Sequence, residues 1–146
     1  MRILPADPGL LIVSCDGASR GNPGPAGFGV QITDERGTVV AELAEWLGET
    51  TNNVAEYTAA REGLRRAAEL GARRVRLRSD SQLLIEQLSG RYKVKAAHLR
   101  PLYQEIVSAM SGFDAVALEH VPRERNREAD RLANEGVDEG LGRHRA

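Results

Sequence analysis

The stretch Leu10-Leu11-Ile12-Val13-Ser14-Cys15-Asp16 is a short apolar run closed by a carboxylate and followed by turn residues, the pattern of a buried strand with an acid at its exit. Residues 17–27 hold four glycines together with Pro23 and Pro25 and read as a loop. Residues 28–33 and 38–47 alternate apolar and polar side chains around Asp34-Glu35-Arg36-Gly37, so three antiparallel strands are expected. Thr50-Thr51-Asn52-Asn53 offers capping side chains to a helix that stops near Gly71, with Val54, Tyr57, Leu64, Ala67 and Ala68 as its buried stripe. Residues 74–79 alternate again and end at Asp80, after which Ser81 caps a helix bearing Leu83, Leu84, Ile85 and Leu88.

A connector over residues 90–99 leads to a helix marked by Leu102, Ile106, Val107 and Met110. Residues 115–121 make a fifth strand, and Asn126 caps a last helix whose apolar positions are Ala129, Leu132, Ala133 and Val137. From Gly140 onward the chain is expected to fray. This is a mixed α/β order, and crossovers through the long helices would set strands one, four and five side by side. No repeat, low-complexity segment or linker interrupts it, so a single domain over residues 1–146 is expected, with its core at about 10–138 and a tail at 139–146.

The 146 residues carry 20 Lys+Arg against 21 Asp+Glu and are 41% hydrophobic. A chain of this length buries roughly 68–70% of the surface its unfolded form exposes, so it needs neither disulfide nor structural metal. A net charge of -1 argues against holding a polyanion by bulk attraction, which leaves that task to local groups. The start, Met1-Arg2-Ile3-Leu4-Pro5-Ala6-Asp7, lacks the apolar stretch of a signal sequence, and no run of 18 apolar residues exists. With a single cysteine, Cys15, read as a small core residue, a reducing cytoplasmic location is expected.

Asp16 and Asp80 end neighbouring strands, Glu56 lies in the first turn of one helix and Asp130 in the first turns of another. Open α/β sheets place ligand sites at such strand ends, so four acids from distant segments are expected to meet in one cleft. At ~5 Å and an effective dielectric of 20, repulsion is roughly 3 kcal/mol per pair and on the order of 20 kcal/mol gross for six pairs. Raised pKa values or two divalent cations would relieve it, and all-carboxylate ligation favours magnesium or manganese over zinc. A cation pair suits in-line displacement at phosphorus. Each acid also has a plain structural role open to it: a turn for Asp16, a capping box with Asn53 for Glu56, and helix-end charges for Asp80 and Asp130.

Taken together, four segments resemble the type 1 ribonuclease H family: Asp16-Gly17-Ala18-Ser19-Arg20-Gly21-Asn22-Pro23-Gly24-Pro25-Ala26-Gly27, Thr51-Asn52-Asn53-Val54-Ala55-Glu56, Ser79-Asp80-Ser81-Gln82 and Glu128-Ala129-Asp130-Arg131-Leu132-Ala133. The resemblance implies a five-stranded mixed sheet in the order 3-2-1-4-5 flanked by helices. It implies cleavage of the RNA strand of RNA/DNA hybrids with two Mg2+ ions, for which Mn2+ can substitute, leaving a 5′-phosphate and a 3′-hydroxyl. Asp16, Glu56, Asp80 and Asp130 match the metal-binding acids. Gly17 and Ser19 match positions close to the RNA, Asn52, Asn53 and Gln82 match polar contacts in the shallow groove, and Asn22 and Thr51 match a pocket for a DNA phosphate. A cap is the other role open to Thr51.

Two departures stand out. The loop histidine of better-known members is missing from Val121-Pro122-Arg123-Glu124-Arg125-Asn126, where Arg123 could meet the scissile phosphate or leaving group, or simply face solvent. This loop looks like that of a shorter subgroup, some of whose members also cut double-stranded RNA. His120 reads as structural. The basic, tryptophan-bearing handle is also absent; Arg91, Lys93, Lys95 and Arg100 are what the connector offers to a phosphate backbone. The terminal Arg143-His144-Arg145 could touch nucleic acid as well, but the reading preferred for it is a disordered terminus. The expected protein is a monomeric endonuclease without membrane association; a non-catalytic hybrid-binding module and a 3′-5′ exonuclease of the same broad fold are the alternatives.

Overall fold

The computed structural model describes residues 9–144, apart from the side chain of His144; the Met1 to Asp7 stretch and Arg145 lie outside the described residues. Its elements are β1 (Leu10–Ser19), β2 (Gly24–Thr33), β3 (Val39–Thr50), α1 (Asn52–Glu69), β4 (Arg74–Ser79), α2 (Gln82–Leu88), α3 (Arg100–Ser111), β5 (Ala115–His120) and α4 (Arg127–His144). The strands form one sheet in the order β3-β2-β1-β4-β5, antiparallel from β1 to β3 and parallel from β1 through β4 to β5. This is the expected mixed order.

Strand alternation decides the layers. Leu11, Val13 and Cys15 of β1, Val30 and Ile32 of β2, and Val75 and Leu77 of β4 are buried in one core with Tyr57, Ala60 and Leu64 of α1. Thr51 starts α1 by accepting a hydrogen bond from Val54 N at 3.2 Å, and Gly71, at φ +85°, turns the chain out of it. Tyr57, Leu64 and Ala67 are buried as the stripe predicts, whereas Ala68 is exposed, one position past the buried edge.

The opposite face of the sheet carries α4, and its contact with β2 is backbone against backbone. A Cβ on Gly29 would stand 2.3 Å from Ala129 O and Ala133 N; one on Gly17, on the α1 side, would stand 2.3 Å from Glu56 N. The glycines therefore admit helices to the sheet. That explains why residues 17–27 are mostly strand rather than loop: β1 pairs with β2 as far as Ser19↔Ala26, and only residues 20–23 turn. Asp16 thus lies inside β1, opposite Gly29, and not at its exit.

The far end of α4 corrects a second expectation. Residues 139–144 continue the helix instead of fraying, because Gly140 is seated on the Trp46 ring, where a Cβ would come within 2.0 Å. Among the described residues no helix is long and apolar enough to cross a membrane.

Gly29→Ala is expected to lower the unfolding free energy by about 1–3 kcal/mol through overpacking against α4. Gly112→Ala, whose new methyl would find its nearest neighbour at 3.5 Å, should change it by no more than about 0.5 kcal/mol. Urea midpoints of the two variants check the difference.

Candidate active site

The parallel ladder between β1 and β4 stops at Ser14↔Arg78, while the antiparallel ladder to β2 carries on. Past that point the strands part. Asp16 sits on the freed length of β1, and Asp80 follows directly after β4. Glu56 stands in the second turn of α1, one turn later than its sequence position suggested, because Thr51 rather than Asn53 is the cap. Asp130 belongs to the first turn of α4. All four acids line one cleft of ≈ 470 Å³, joined there by Gly17, Ser19, Asn52 and Arg123.

Crowding and burial set the protonation of this cleft. Burial pushes Asp16 up to about 8, helped by the Asp80 charge and by a hydrogen bond shared with Asp130. Glu56 is raised by burial, against the pull of hydrogen bonds from Ser81 and from Asn52, whose Nδ2 donates to Oε1 at 3.0 Å. Those partners exclude the capping-box role for Glu56. Asp80 is raised by burial and by Asp130, with Arg123 and His120 acting in the other direction. Among the described residues no three potential ligands converge closely enough to enclose an ion as they stand.

The remaining expectations divide. Arg123 faces the cleft beside Asp80, though its side is open to solvent. Asn22 Oδ1 accepts from Asn52 N at 3.2 Å, and Thr51 is the helix cap. Ser19 Oγ donates to Gly21 O in the β1–β2 turn and to Thr50 O at the end of β3. Gln82 opens α2 exposed to solvent. Asn53 points away from the acids, into a second groove of ≈ 510 Å³ lined by Leu83, Gln87, Tyr92, Lys93 and Lys95. Of the basic connector, Arg91 is held by Glu86.

Sequence reasoning gave Ser81 and Asn134 no part in the site. Ser81 both caps α2, accepting from Leu84 N at 3.2 Å, and bonds Glu56; its place next to Asp80 was the available signal. Asn134 lies one helical turn after Asp130 and accepts from Arg20, which pairs in turn with Asp138. His120, read as structural, places Nε2 3.2 Å from Asp80 O and so borders the site. Cys15 is a core residue as expected, its thiol donating to Arg78 O at 3.4 Å and pushed far up by burial. Asn126 does not cap α4 with its side chain: Nδ2 donates to Cys15 O at 3.0 Å, and Oδ1 has no hydrogen-bond partner.

A mixed five-stranded sheet in this order, with four acids where β1 and β4 part, defines a ribonuclease H-type fold. Residues 14–136 match the family described as reverse transcriptase-like. A Mycobacterium tuberculosis "bifunctional protein" is 46% identical over 88% of this chain, which spans only 35% of that relative. "Ribonuclease HI" of Halobacterium salinarum is 44% identical over 85% of this chain and 62% of its own length. A solved structure of the N-terminal RNase H domain from Mycobacterium tuberculosis aligns with a TM-score of 0.86 at 45% identity, over 88% of this chain and 98% of that one. LC11-RNase H1, solved in complex with an RNA/DNA hybrid, gives 0.85 at 41%, over 90% and 99%. The chain belongs to the type 1 ribonuclease H family.

Because Asp16 titrates near 3.8 when unfolded and at about 8 when folded, the folded chain holds a proton that the unfolded chain has lost throughout that window. Cation-free stability from this group is therefore present below 3.8 and disappears as pH rises through about 8. Melting temperatures in a chelator should fall from pH 5 to pH 8.5, and Asp16→Asn should flatten the decline.

Proposed function

We propose that the chain is a divalent-cation-dependent endonuclease that hydrolyses the RNA strand of RNA/DNA hybrids, leaving 5′-phosphate and 3′-hydroxyl ends. The observation that carries this reading is the gathering of Asp16, Glu56, Asp80 and Asp130 in a single cleft. Their hard oxygen donors fit Mg2+ better than any softer metal, with Mn2+ as a substitute, and the upward shifts of Asp16, Glu56 and Asp80 mark negative charge that a cation would relieve. These four side chains would hold two ions. The chemistry such a pair would supply there is a lowered pKa for a water and stabilisation of the attacking and leaving oxygens of an in-line displacement.

The chain's own groups do the rest. Ser81 and Asn52 orient the Glu56 carboxylate by hydrogen bonds, so that it is preset before any substrate arrives. Arg123 supplies a cation beside Asp80, where a guanidinium can meet a phosphate oxygen or a leaving group. Gly17, Ser19 and Asn52 border the acids and would lie against the RNA, whose 2′-hydroxyls distinguish it from DNA. Asn53 and Gln82 would extend that contact along the shallow groove, and Asn22 and Thr51 would meet a phosphate of the DNA strand. Lys93 and Lys95 are exposed and available to the backbone. Support for the substrate class comes from the relative solved with a hybrid. Action as a single-domain monomer in the cytoplasm, with a side activity on double-stranded RNA, completes the proposal.

Asp80→Asn should lower hybrid cleavage by at least about 10³-fold, equivalent to ~4 kcal/mol on the barrier, while hybrid binding persists. A labelled hybrid assayed with and without Mg2+ checks this, and end-blocked hybrids must still be cut internally. Replacing both Lys93 and Lys95 with Ala should weaken binding and reduce the salt slope by up to about 0.9 for each phosphate no longer neutralised.

A further inference from the structure

Asn126 connects the two chain segments that carry Asp16 and Asp130. It stands at the entry to α4 and is 2% exposed. Two bonds run from it in opposite directions. Its Nδ2 donates to the carbonyl of Cys15, 111 residues away, and its own carbonyl accepts from Asp130 N at 3.1 Å. The Cys15 carbonyl belongs to the peptide that leads into Asp16. One residue thus holds both acid-bearing backbones.

The place of this tie in the sheet explains why it is needed. The register between β1 and β4 ends at Ser14↔Arg78, so β4 offers Cys15 no ladder partner. The Asn126 amide takes up the next carbonyl in its stead. On the other side, Gly29 is the cross-strand partner of Asp16 and lies against Ala129 and Ala133 of α4. That contact stops the helix from moving closer to the sheet, and the Asn126 tether stops its first turn from moving away.

A residue present only to begin a helix would accept from the first amides with its side-chain oxygen. Here Oδ1 is buried with no hydrogen-bond partner, a costly state for an amide oxygen. The side chain is used through its nitrogen alone, on the strand that bears Asp16.

We infer that Asn126 is a positioning residue which fixes the separation and orientation of Asp16 and Asp130, and through them the affinity of the cleft for divalent cations. This rests on the reading of the cleft as a cation-dependent nuclease site. Asn126 acts through the two acids and is not itself a catalytic residue.

The test compares Asn126→Ala and Asn126→Ser with Val137→Ala, a fully buried position further along α4 that serves packing only. Apparent Mg2+ affinity is read from the cation-induced rise in melting temperature, and kcat and KM from hybrid cleavage. Asn126→Ala should weaken Mg2+ affinity and lower kcat by about 10–100-fold with KM little changed, the size of effect seen when the support of a ligand is removed. Asn126→Ser, which keeps a short donor, should fall between it and the wild type and provides the measurement if the alanine variant does not fold. Val137→Ala should lose stability yet keep Mg2+ affinity and kcat. The inference is overturned if a folded Asn126 variant keeps wild-type Mg2+ affinity and kcat, or loses no more of either than Val137→Ala. Failure of the underlying nuclease reading looks different: the wild-type chain itself would gain no stability from Mg2+ and cleave no hybrid.

Discussion

Mutual repulsion among four carboxylates withdrawn from solvent is the constraint around which this molecule is arranged. Left to themselves, Asp16, Glu56, Asp80 and Asp130 would separate or take up protons, and Asp16, pushed up first by burial and then by the Asp80 charge, shows the second response. A sheet and two helices hold them in place nonetheless. The cleft is thus a store of unfavourable electrostatics that positive charge relieves, with Arg123 and His120 already on the side of Asp80. In the proposed reading, the same feature that would weaken the cation-free fold at alkaline pH is what would favour hard cations.

Holding the acids together depends on unusually short distances between backbones. Gly17 lets the turn of α1 that bears Glu56 settle on β1, and Gly29 lets α4 settle on β2 beside Asp16. Any side chain at either position would lift an acid-bearing helix off the sheet. Gly140 performs the corresponding service at the other end of α4, where the Trp46 ring takes the room a side chain would need. Packing and chemistry are therefore specified by the same residues here, and neither can be altered alone.

Much of this was legible in the sequence, for identifiable reasons. The order of elements followed from alternation and helical spacing, and the four acids stood out as a set, because strand ends and early helical turns bring them to one end of the sheet and their segments together resemble one family, though no acid is telling alone. What escaped was the use of residues through long-range contact. A glycine-rich segment imitates a loop, and only the approach of α1 and α4 reveals that residues 17–19 and 24–27 are strand. Asn126 before a helix reads as a cap, and only its partner 111 residues away shows otherwise. Ala68 was placed on the buried stripe because small apolar residues carry little information about which side of a helix edge they occupy.

Tyr57, the residue after Glu56, donates its hydroxyl to Gln87 in the core, and Gln87 in turn donates to the carbonyl of Lys93 at 3.3 Å. A strut of two bonds thus runs from the neighbour of a cleft acid to the positively charged segment between α2 and α3. In the proposed reading, the acid that would hold a cation and the segment that would meet a phosphate backbone are thus joined, and a larger handle grafted onto that segment would pull on Glu56 as well.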